Sequence, residues 1–238
     1  MKSSFFEEYL LWEDENWVAI NKPPGISTLA DRASDLNMLE LIRKRYPDAQ
    51  ACHRLDKETS GVLIFARNPE AYRHLSLQFQ NRQVEKLYHA VVHGVHRYEN
   101  FTIDAALDTR DAPPVKVVSR GKKSVTVVST INVYRQHTLV ACRPFTGRMH
   151  QIRVHLAYAG TPIAGDTLYG GSPVYLSALK PGFRLKKGTL EQPLMGRAAL
   201  HALTLDFKDF EGKQIRMEAP YPKDFRALVR QLELTKGS

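Results

Sequence analysis

The sequence predicts an α+β fold with a mixed, largely antiparallel central sheet that is flanked by helices and loops. Runs typical of strands outnumber runs with helical spacing, and several strand-like runs follow one another directly. A chain built from repeated βαβ units would instead alternate strands with helices. In the 238 residues, 43% are hydrophobic, which is enough for a buried core, and no break resembles a free linker. We therefore expect one domain over residues 1–238.

The predicted strands are short runs rich in β-branched and aromatic residues, often bounded by Gly, Pro or Asn. The first two precede the turn Lys22-Pro23-Pro24-Gly25. Two later runs should pair with each other through residues 135–137. In chain order the predicted strands cover residues 10–12, 17–20, 62–66, 87–92, 101–107, 124–134, 138–143, 200–207 and 214–219.

Four helices are expected from their end signals and apolar spacing. Asn37 is the N-cap of the first, and Asn68-Pro69 combines an N-cap with Pro at the first helical position of the second. The third begins at His150 and is closed by Gly160. Apolar residues at helical spacing should face the core in the second helix (Leu75, Phe79 and Tyr72) and in the terminal one (Phe225, Leu228, Val229 and Leu232). Residues 168–196 are expected to form a long ordered loop.

Charge is unevenly distributed along this basic chain, whose formal net charge is +9. Residues 110–153 contain nine basic residues and one acidic residue, whereas residues 206–238 are nearly balanced. A positive central region favours a polyanionic partner, with nucleic acid as the first candidate. A generally basic surface without such a partner is the alternative.

Several classes of protein are disfavoured by composition. No apolar stretch reaches the ~18 residues that a membrane span requires, and the acidic N-terminal region does not resemble a secretory signal. Cys52 and Cys142 are the two cysteines, so neither a disulfide framework nor a zinc knuckle is expected. A cytoplasmic location is the expected one. The spacing of His150 and His155 does not match a helical zinc pair, and no metal site is predicted.

The most informative segment is His53-Arg54-Leu55-Asp56-Lys57-Glu58-Thr59-Ser60-Gly61. It places one acid between basic residues, and nearby positive charge favours the ionised form of a carboxylate. An ionised, positioned carboxylate can act as a nucleophile or as a general base. A loop aspartate in a local salt bridge is the simpler interpretation of these residues alone.

Three further segments occur together with this motif. They are the turn Asn21-Lys22-Pro23-Pro24-Gly25, the strand Lys86-Leu87-Tyr88-His89-Ala90 with Gly94, and the block Thr146-Gly147-Arg148-Met149-His150-Gln151-Ile152-Arg153-Val154-His155-Leu156, which continues through Gly165-Asp166 and Tyr169-Gly170. In this order the four segments resemble the RluA-type RNA pseudouridine synthases. The resemblance covers the chain from about residue 10 to about residue 222.

The resemblance implies an enzyme that isomerises uridine in RNA to pseudouridine without a cofactor. By the same resemblance Asp56 is the catalytic carboxylate, Arg153 is its ion-pair partner, and Tyr88 stacks on the uracil. A solvated helix-face arginine and a core tyrosine are the simpler alternatives for the latter two. Whether Asp56 acts as nucleophile or base stays open.

Substrate binding is assigned to His53, Arg54, Thr59, Arg148, Lys122 and Lys123. In the family, the arginine that matches Arg54 is thought to occupy the space of a flipped-out base; a phosphate contact or salt bridge is an equal alternative. The expected partner is a stem-loop of ribosomal or transfer RNA, and a monomer is the default. Few residues precede Trp17, so an S4-type RNA-binding module is not expected.

Two functions of other classes compete with this prediction. A non-catalytic RNA-binding protein on the same scaffold would not need Asp56, Tyr88 and Arg153 together. A glycosidase acting on free nucleosides would not need the long basic region.

Overall fold

A computed structural model of the protein describes residues 5–30, 36–110, 113–180, 182–186 and 188–236. They form two compact units: one up to Leu87 together with His201–Tyr221, and one over Tyr88–Leu200 together with the residues from Pro222 onward. The strands are β1 (Leu10–Glu13), β2 (Trp17–Lys22), β3 (Gln50–Ala51), β4 (Ser60–Ala66), β5 (Glu85–His93), β6 (Phe101–Asp104), β7 (Leu107–Asp108), β8 (Lys116–Val117), β9 (Val125–Val133), β10 (His137–Pro144), β11 (Leu200–Lys208) and β12 (Gln214–Glu218). The helices are α1 (Phe5–Tyr9), α2 (Met38–Arg43), α3 (Pro69–Gln80), α4 (Gln151–Tyr158), α5 (Leu176–Leu179) and α6 (Lys223–Leu234), with a 3-10 turn at Thr167–Tyr169.

The sheet of the first unit is organised around β4, whose seven residues are all buried. β2 pairs with it in antiparallel fashion, with Trp17 opposite Ala66, and β11 pairs with it in parallel, with His201 opposite Ser60. β3 also pairs with β4, β1 lies beside β2, and β12 lies beside β11. Burial on both faces explains why β4 is a continuous apolar run rather than an alternating one.

The core of the first unit is centred on Trp17, which is 1% exposed. Its indole N–H donates to the carbonyl of Ala71 at 3.3 Å, and its ring meets that of Phe207 edge to face at 5.2 Å. These contacts fix α3 and β11 relative to β2. A buried tryptophan whose N–H has a partner stabilises a core without an unsatisfied polar group.

The helix starts predicted from the sequence are confirmed in this unit. The Asn37 side chain accepts a hydrogen bond from the backbone of Glu40 at 3.0 Å, and Asn68 accepts one from Ala71 at 2.8 Å. These bonds satisfy amide groups that a helix leaves unpaired at its first turn. Leu75 is buried as predicted, but the core position of Tyr72 is wrong, because Tyr72 is 36% exposed.

The sheet of the second unit is antiparallel, in the order β5-β10-β9-β6. The predicted hairpin of residues 124–134 and 138–143 is confirmed by β9 and β10. The single strand predicted over residues 101–107 is wrong. β6 pairs with β9, whereas β7 pairs with β8, so this run changes partners at Ala105. Amide groups of Ala105 and Leu107 bond to the carbonyls of Ser124 and Lys122 where the partner changes.

The α+β class with a mixed, mostly antiparallel sheet is confirmed by the strand pairings and helices of the two units. The prediction of one domain over the whole chain stays a prediction. None of the helices in the described part of the chain is both long enough and apolar enough to span a membrane.

Candidate active site

The loop that carries Asp56 connects β3 to β4 in the first unit. Asp56 is partly buried, while Arg54 and Lys57 on either side of it are exposed. Leu55, which is 5% exposed, anchors the loop in the interior. The hydroxyl of Thr28 accepts from the amide of Leu55 and donates to its carbonyl, both at 3.0 Å. The loop therefore presents its charged side chains outward from a fixed backbone.

The buried side chain of Lys22 holds this loop through main-chain carbonyls. The ammonium of Lys22, whose side chain is fully buried, donates to the carbonyls of Pro23 and Ile26 at 2.8 Å and of Lys57 at 3.0 Å. The amide of Gly25 donates to the same Lys57 carbonyl at 2.9 Å. Three carbonyl acceptors match the three donors of an ammonium group, which offsets the cost of burying its charge. The turn at residues 21–25 and the Asp56 loop are thus one structure.

The end of the loop is fixed by a turn and by a buried histidine. The amide of Thr59 donates to the Asp56 carbonyl at 3.0 Å. His201 lies 3.0 Å from the Ala219 carbonyl through Nε2, and 2.9 Å from the Ser60 hydroxyl through Nδ1. Because a carbonyl only accepts, Nε2 carries the proton and Nδ1 accepts from Ser60. These contacts are those of a structural histidine that joins β11 to the end of the loop.

Gly61 is required where the loop enters β4. Its φ of +116° lies in the region that favours glycine, and a Cβ at this position would be 2.1 Å from the carbonyl oxygen of Ala202. β4 and β11 approach too closely there for any side chain. The last residue of the motif is therefore fixed by strand packing.

His53, at the start of the motif, contacts β4 and α3. Its Nε2 accepts from the backbone amide of Ile64 at 3.2 Å, and its ring stacks on Phe79 at 5.0 Å. Burial, with a smaller contribution from the positive charge of Lys86, lowers the pKa of His53 to about 3. His53 is therefore a neutral histidine that braces the loop. Its assignment to substrate binding stays a prediction.

Arg153 lies on α4 in the second unit, and its side chain is 11% exposed. Its guanidinium forms a bidentate ion pair with Asp166, with Nε–Oδ2 and Nη2–Oδ1 distances of 2.7 Å. It also lies over the ring of Tyr169, 5.0 Å from the centroid. A fork-to-fork pair of this kind fixes the plane of the guanidinium as well as its position. The simpler interpretation of Arg153 as a solvated residue is wrong.

The segment after α4 is shaped to hold Asp166 and Tyr169. The Asp166 carbonyl accepts from the amides of Tyr169 and Gly171, at 3.1 and 2.8 Å. The Tyr169 hydroxyl accepts from the amide of Val115 at 2.9 Å and lies 2.8 Å from Nδ1 of His150. A Cβ at Gly171 would be 1.9 Å from the carbonyl oxygen of Ile163, so this turn needs glycine there. The Gly-Asp and Tyr-Gly pairs of the sequence thus build the support of Arg153.

Gln151 fixes the turn that precedes α4. Its carbonyl oxygen accepts from the Thr146 hydroxyl at 2.6 Å and from the amide of Arg148 at 3.1 Å. Its amide nitrogen donates to the carbonyl of Val125 and the hydroxyl of Thr126, both at 3.0 Å. The side chain is 4% exposed and all its bonding groups are engaged. It therefore locks residues 146–151 onto β9.

His155 is a second structural histidine, fully buried on α4. Its nitrogens lie 2.9 Å from the Thr126 hydroxyl and 3.0 Å from the Ala105 carbonyl. Burial lowers the pKa of His155, and the Ala105 carbonyl opposes this shift.

Over the described residues, no group of three metal-ligating side chains could hold a metal ion.

The remaining site residues of the second unit lie on β5 and in loops. Tyr88 is partly buried on β5, opposite Cys142 of β10. Arg148 is exposed, and its amide is held by Gln151. Lys122 and Lys123 are exposed, although the backbone of Lys122 pairs with Leu107. Arg148, Lys122 and Lys123 thus extend into solvent from these loops.

The structure groups the predicted site residues by unit. Asp56 shares the first unit with His53, Arg54 and Thr59. Tyr88 and Arg153 belong to the second unit, with Arg148, Lys122 and Lys123. The pairing of Asp56 with Arg153 stays a prediction.

Two supporting residues were missed by sequence reasoning. Asp166 was placed in a motif segment but not paired with Arg153, and Lys22 was placed only in a turn. Both residues lie inside the four motif segments, so the sequence already drew attention to them. Their partners, at separations of 13 residues for Asp166 and Arg153 and 35 for Lys22 and Lys57, follow no local spacing rule.

Comparisons of this sequence with a family model and with known proteins point to one family. A family model described as RNA pseudouridylate synthase matches residues 16–158. A protein of Xanthomonas campestris named ribosomal large subunit pseudouridine synthase D is 37% identical, over 94% of this chain and 69% of its own length. A Pasteurella multocida protein named ribosomal large subunit pseudouridine synthase C is 33% identical, over 100% of this chain and 72% of its own.

A solved structure of similar fold points to the same family. Human RNA pseudouridylate synthase domain containing 4 superposes with a TM-score of 0.72 and 26% identity. The match covers 96% of this chain and 94% of the human chain.

Proposed function

Because the chain belongs to the RNA pseudouridylate synthase family and is an enzyme that converts uridine in RNA to pseudouridine, we propose that it acts on ribosomal RNA through Asp56. The names of the relatives from X. campestris and P. multocida support the choice of substrate. The position of Asp56 in a loop held by Lys22 supports the choice of carboxylate. Transfer RNA is the second substrate class that the sequence admits.

The reaction needs a carboxylate close to the sugar. The bond between C1′ and N1 breaks, the uracil turns over, and a bond forms between C1′ and C5. The proton of C5 goes to solvent and N1 gains one, so the composition of the nucleotide is unchanged. Departure of the uracil leaves the sugar electron-poor, and Asp56 either adds to it or removes a proton from it.

Asp56 suits this role because its loop is rigid while its side chain is only partly buried. The Thr59 amide closes a turn on the Asp56 carbonyl, and the Lys22 ammonium fixes the next residue. A reacting group must be held near the attack geometry, since misplacement lowers the rate steeply. The backbone on both sides of Asp56 supplies that positioning.

Arg153 and Tyr88 complete the proposed site. We assign to Arg153 the orientation of the Asp56 carboxylate. Its guanidinium plane is already fixed by Asp166, so little conformational entropy would be lost when a further partner is engaged. We assign to Tyr88 the stacking on the uracil, because an aromatic ring recognises the face of an unstacked base.

A target uridine must leave its stack to reach the Asp56 carboxylate, at a cost of a few kcal/mol that is least in loops. Arg54 is the residue that we propose fills the vacated space or contacts a phosphate, because it is exposed two residues before Asp56. Thr59 shapes the loop rather than touching RNA, given its 2% exposure. Arg148 binds RNA backbone from the turn that Gln151 fixes.

The basic segments outside the motifs, residues 116–123 and 180–197, are proposed to select the RNA. Lys122, Lys123 and Lys186 are exposed, and Lys187 lies outside the described residues. Arg197 does not belong to this set, because its guanidinium pairs with Asp224 through two bonds of 2.7 and 2.9 Å. The surface available for phosphate contacts is therefore smaller than the count of basic residues indicates.

Release of tritium from C5 of uracil tests the proposal. Labelled transcripts of large-subunit ribosomal RNA and of transfer RNA, and free labelled uridine, would be incubated with the protein. We expect release from ribosomal RNA and none from the nucleoside. Asp56→Asn should abolish it, because the amide is neither a nucleophile nor a base at neutral pH.

Glu58→Gln is the matched control, since Glu58 is an exposed acid two residues away in the same loop. It should retain the wild-type rate within a few-fold. Equal loss in both variants would mean that loop charge, not Asp56 itself, is required. Release from transfer RNA alone would change the substrate and leave the carboxylate assignment intact.

A further inference from the structure

A groove of about 540 Å³ lies in the second unit along the end of β9. Three cations line it: Arg97 before β6, Arg135 after β9, and Lys236 just beyond α6. All three side chains are exposed. None of these residues belongs to the four motif segments, and the proposed reaction gives them no role.

One carboxylate stands beside these cations and is largely engaged. Oε1 of Glu233 accepts from the Tyr134 hydroxyl at 2.8 Å and from the Asn132 side chain at 3.0 Å. Its Oε2 lies 3.9 Å from Nζ of Lys236. Among the described residues no carboxylate pairs with Arg97. Arg97 and the weakly paired Lys236 therefore bring positive charge to the groove beside Arg135.

The groove walls combine this charge with apolar surface. The ring of Tyr134 is buried, and Nζ of Lys236 lies 5.6 Å from its centroid. Ile131 is 40% exposed on the groove, and the adjacent Thr130 is fixed by main-chain pairing with Tyr98. Pockets of 300–1,000 Å³ hold ligands of drug-like size, which includes a nucleotide. Cations beside an apolar wall suit a phosphate and the sugar or base attached to it.

We propose that this groove binds the sugar-phosphate backbone of a single-stranded segment that flanks the target stem-loop in the substrate RNA. The inference rests on the proposed function for the identity of the RNA. Phosphates meet Arg97, Arg135 and Lys236, and the sugar or base lies against Ile131. The groove thereby adds affinity for long substrates without reading their sequence.

Binding of RNA by a triple variant, Arg97→Gln with Arg135→Gln and Lys236→Gln, tests this. All proteins would carry Asp56→Asn, and Kd would be measured from 50 to 200 mM salt. Three lost phosphate contacts should lower the slope of log K against log salt by about 2. For a long ribosomal RNA fragment we expect binding weaker by roughly 10-fold or more at 100 mM salt. The isolated stem-loop should bind unchanged.

The matched control replaces Arg73, Arg226 and Arg230, which are exposed arginines outside the groove, with Gln. Equal Kd and equal salt slope for the two triple variants would overturn the groove as a binding site. Loss of binding by the stem-loop as well would also overturn it, because the flanking segment would then not be the ligand. These outcomes do not depend on turnover. Failure of the proposed function would instead appear as absence of tritium release by the wild type.

Crosslinking gives a second measurement that does not rely on charge. A photoreactive maleimide on Ile131→Cys should crosslink to nucleotides outside the stem-loop. Leu77→Cys is the control, because Leu77 is 46% exposed on α3 of the first unit. Crosslinking at residue 131 no greater than at residue 77 would overturn the proposal.

Discussion

The Asp56 loop and the Arg153 segment are both held by a buried charged side chain, but the two supports bind different parts of the chain. Lys22 bonds to three main-chain carbonyls in the first unit. Asp166 bonds to the guanidinium of Arg153 itself in the second unit. The first support therefore sets the path of a loop, whereas the second sets the position of one functional group.

This difference predicts how each region tolerates change. The side chains of Arg54, Lys57 and Glu58 are exposed, so they can vary while the loop keeps its shape. Arg153 has no such freedom, because its geometry depends on the carboxylate of Asp166 and on the ring of Tyr169. Substitutions of Lys22 and of Asp166 should show separately how the Asp56 loop and Arg153 depend on these supports.

Asp166→Asn should have the largest effect. It removes the negative charge of Asp166 from the buried guanidinium of Arg153, and loss of one partner of a buried pair costs about 3–5 kcal/mol of the free energy of unfolding. Urea denaturation monitored by circular dichroism measures this cost. Asp104→Asn, at an exposed acid on β6, is the control and should change stability by less than about 0.5 kcal/mol.

The double variant Arg153→Met with Asp166→Met distinguishes a structural role of Arg153 from a catalytic one. Replacing both members of a buried ion pair by apolar residues of similar size is often neutral for stability. We expect stability near the wild type and no tritium release, because the proposed partner of Asp56 is absent. Recovery of both stability and activity would show that Arg153 has only a structural role.

Lys22→Met should have the next largest effect, a loss of about 2–3 kcal/mol, because three main-chain carbonyls lose the ammonium donor that they share. Stability and kcat should fall together as the Asp56 loop rearranges. Lys57→Met is the matched control, since Lys57 contributes its carbonyl and not its exposed side chain to the contact. Wild-type stability for Lys22→Met would mean that the loop is held by Thr28 and Leu55 alone.

Much of this architecture could be predicted from the sequence where the signal is local. The caps Asn37 and Asn68 follow from the residues at each helix start, and the apolar run of β4 follows from burial on both faces. The run at residues 101–107 was not resolved into two strands. Its apolar pattern is the same whether it pairs with β9 or with β8, so periodicity does not show the change of partner.

The candidate site was predictable to a similar degree. Asp56, Tyr88 and Arg153 were named from motif resemblance, and their catalytic roles stay predictions. The bidentate pair of Arg153 with Asp166 was not foreseen, because two residues 13 apart meet only through the fold. A buried Lys22 was also unexpected, since lysine is almost never fully buried unless it is paired. Its acceptors are main-chain carbonyls, and residue types do not reveal those.

Acidification should destabilise both regions through their buried histidines, His53 and His155. The lowered pKa of His53, about 3, keeps it neutral in the fold, while an unfolded histidine binds a proton below about pH 6.5. Between these values the unfolded state binds more protons, so stability falls as the pH falls. His53 should contribute roughly 1 kcal/mol per pH unit within this window.

Denaturation curves of wild type and His53→Gln between pH 7.5 and 4 measure that contribution. Gln can still accept from the Ile64 amide but does not titrate, so the pH dependence should become flatter. His155→Gln tests the second region, where the pKa of His155 is also lowered by burial. Identical pH profiles for wild type and His53→Gln would show that His53 is protonated in the folded protein.

Neutralising Lys122 and Lys123 should have the smallest effect on stability, less than about 0.5 kcal/mol, because both side chains are exposed and the loop is tied through its backbone. The effect should appear in RNA binding instead, as a salt slope lower by about 1–2. We expect buried charges to fix the Asp56 loop and Arg153 with little tolerance to substitution, and exposed charges to adjust affinity for RNA while the fold stays unchanged. A destabilised Lys122→Gln, Lys123→Gln variant would contradict this division.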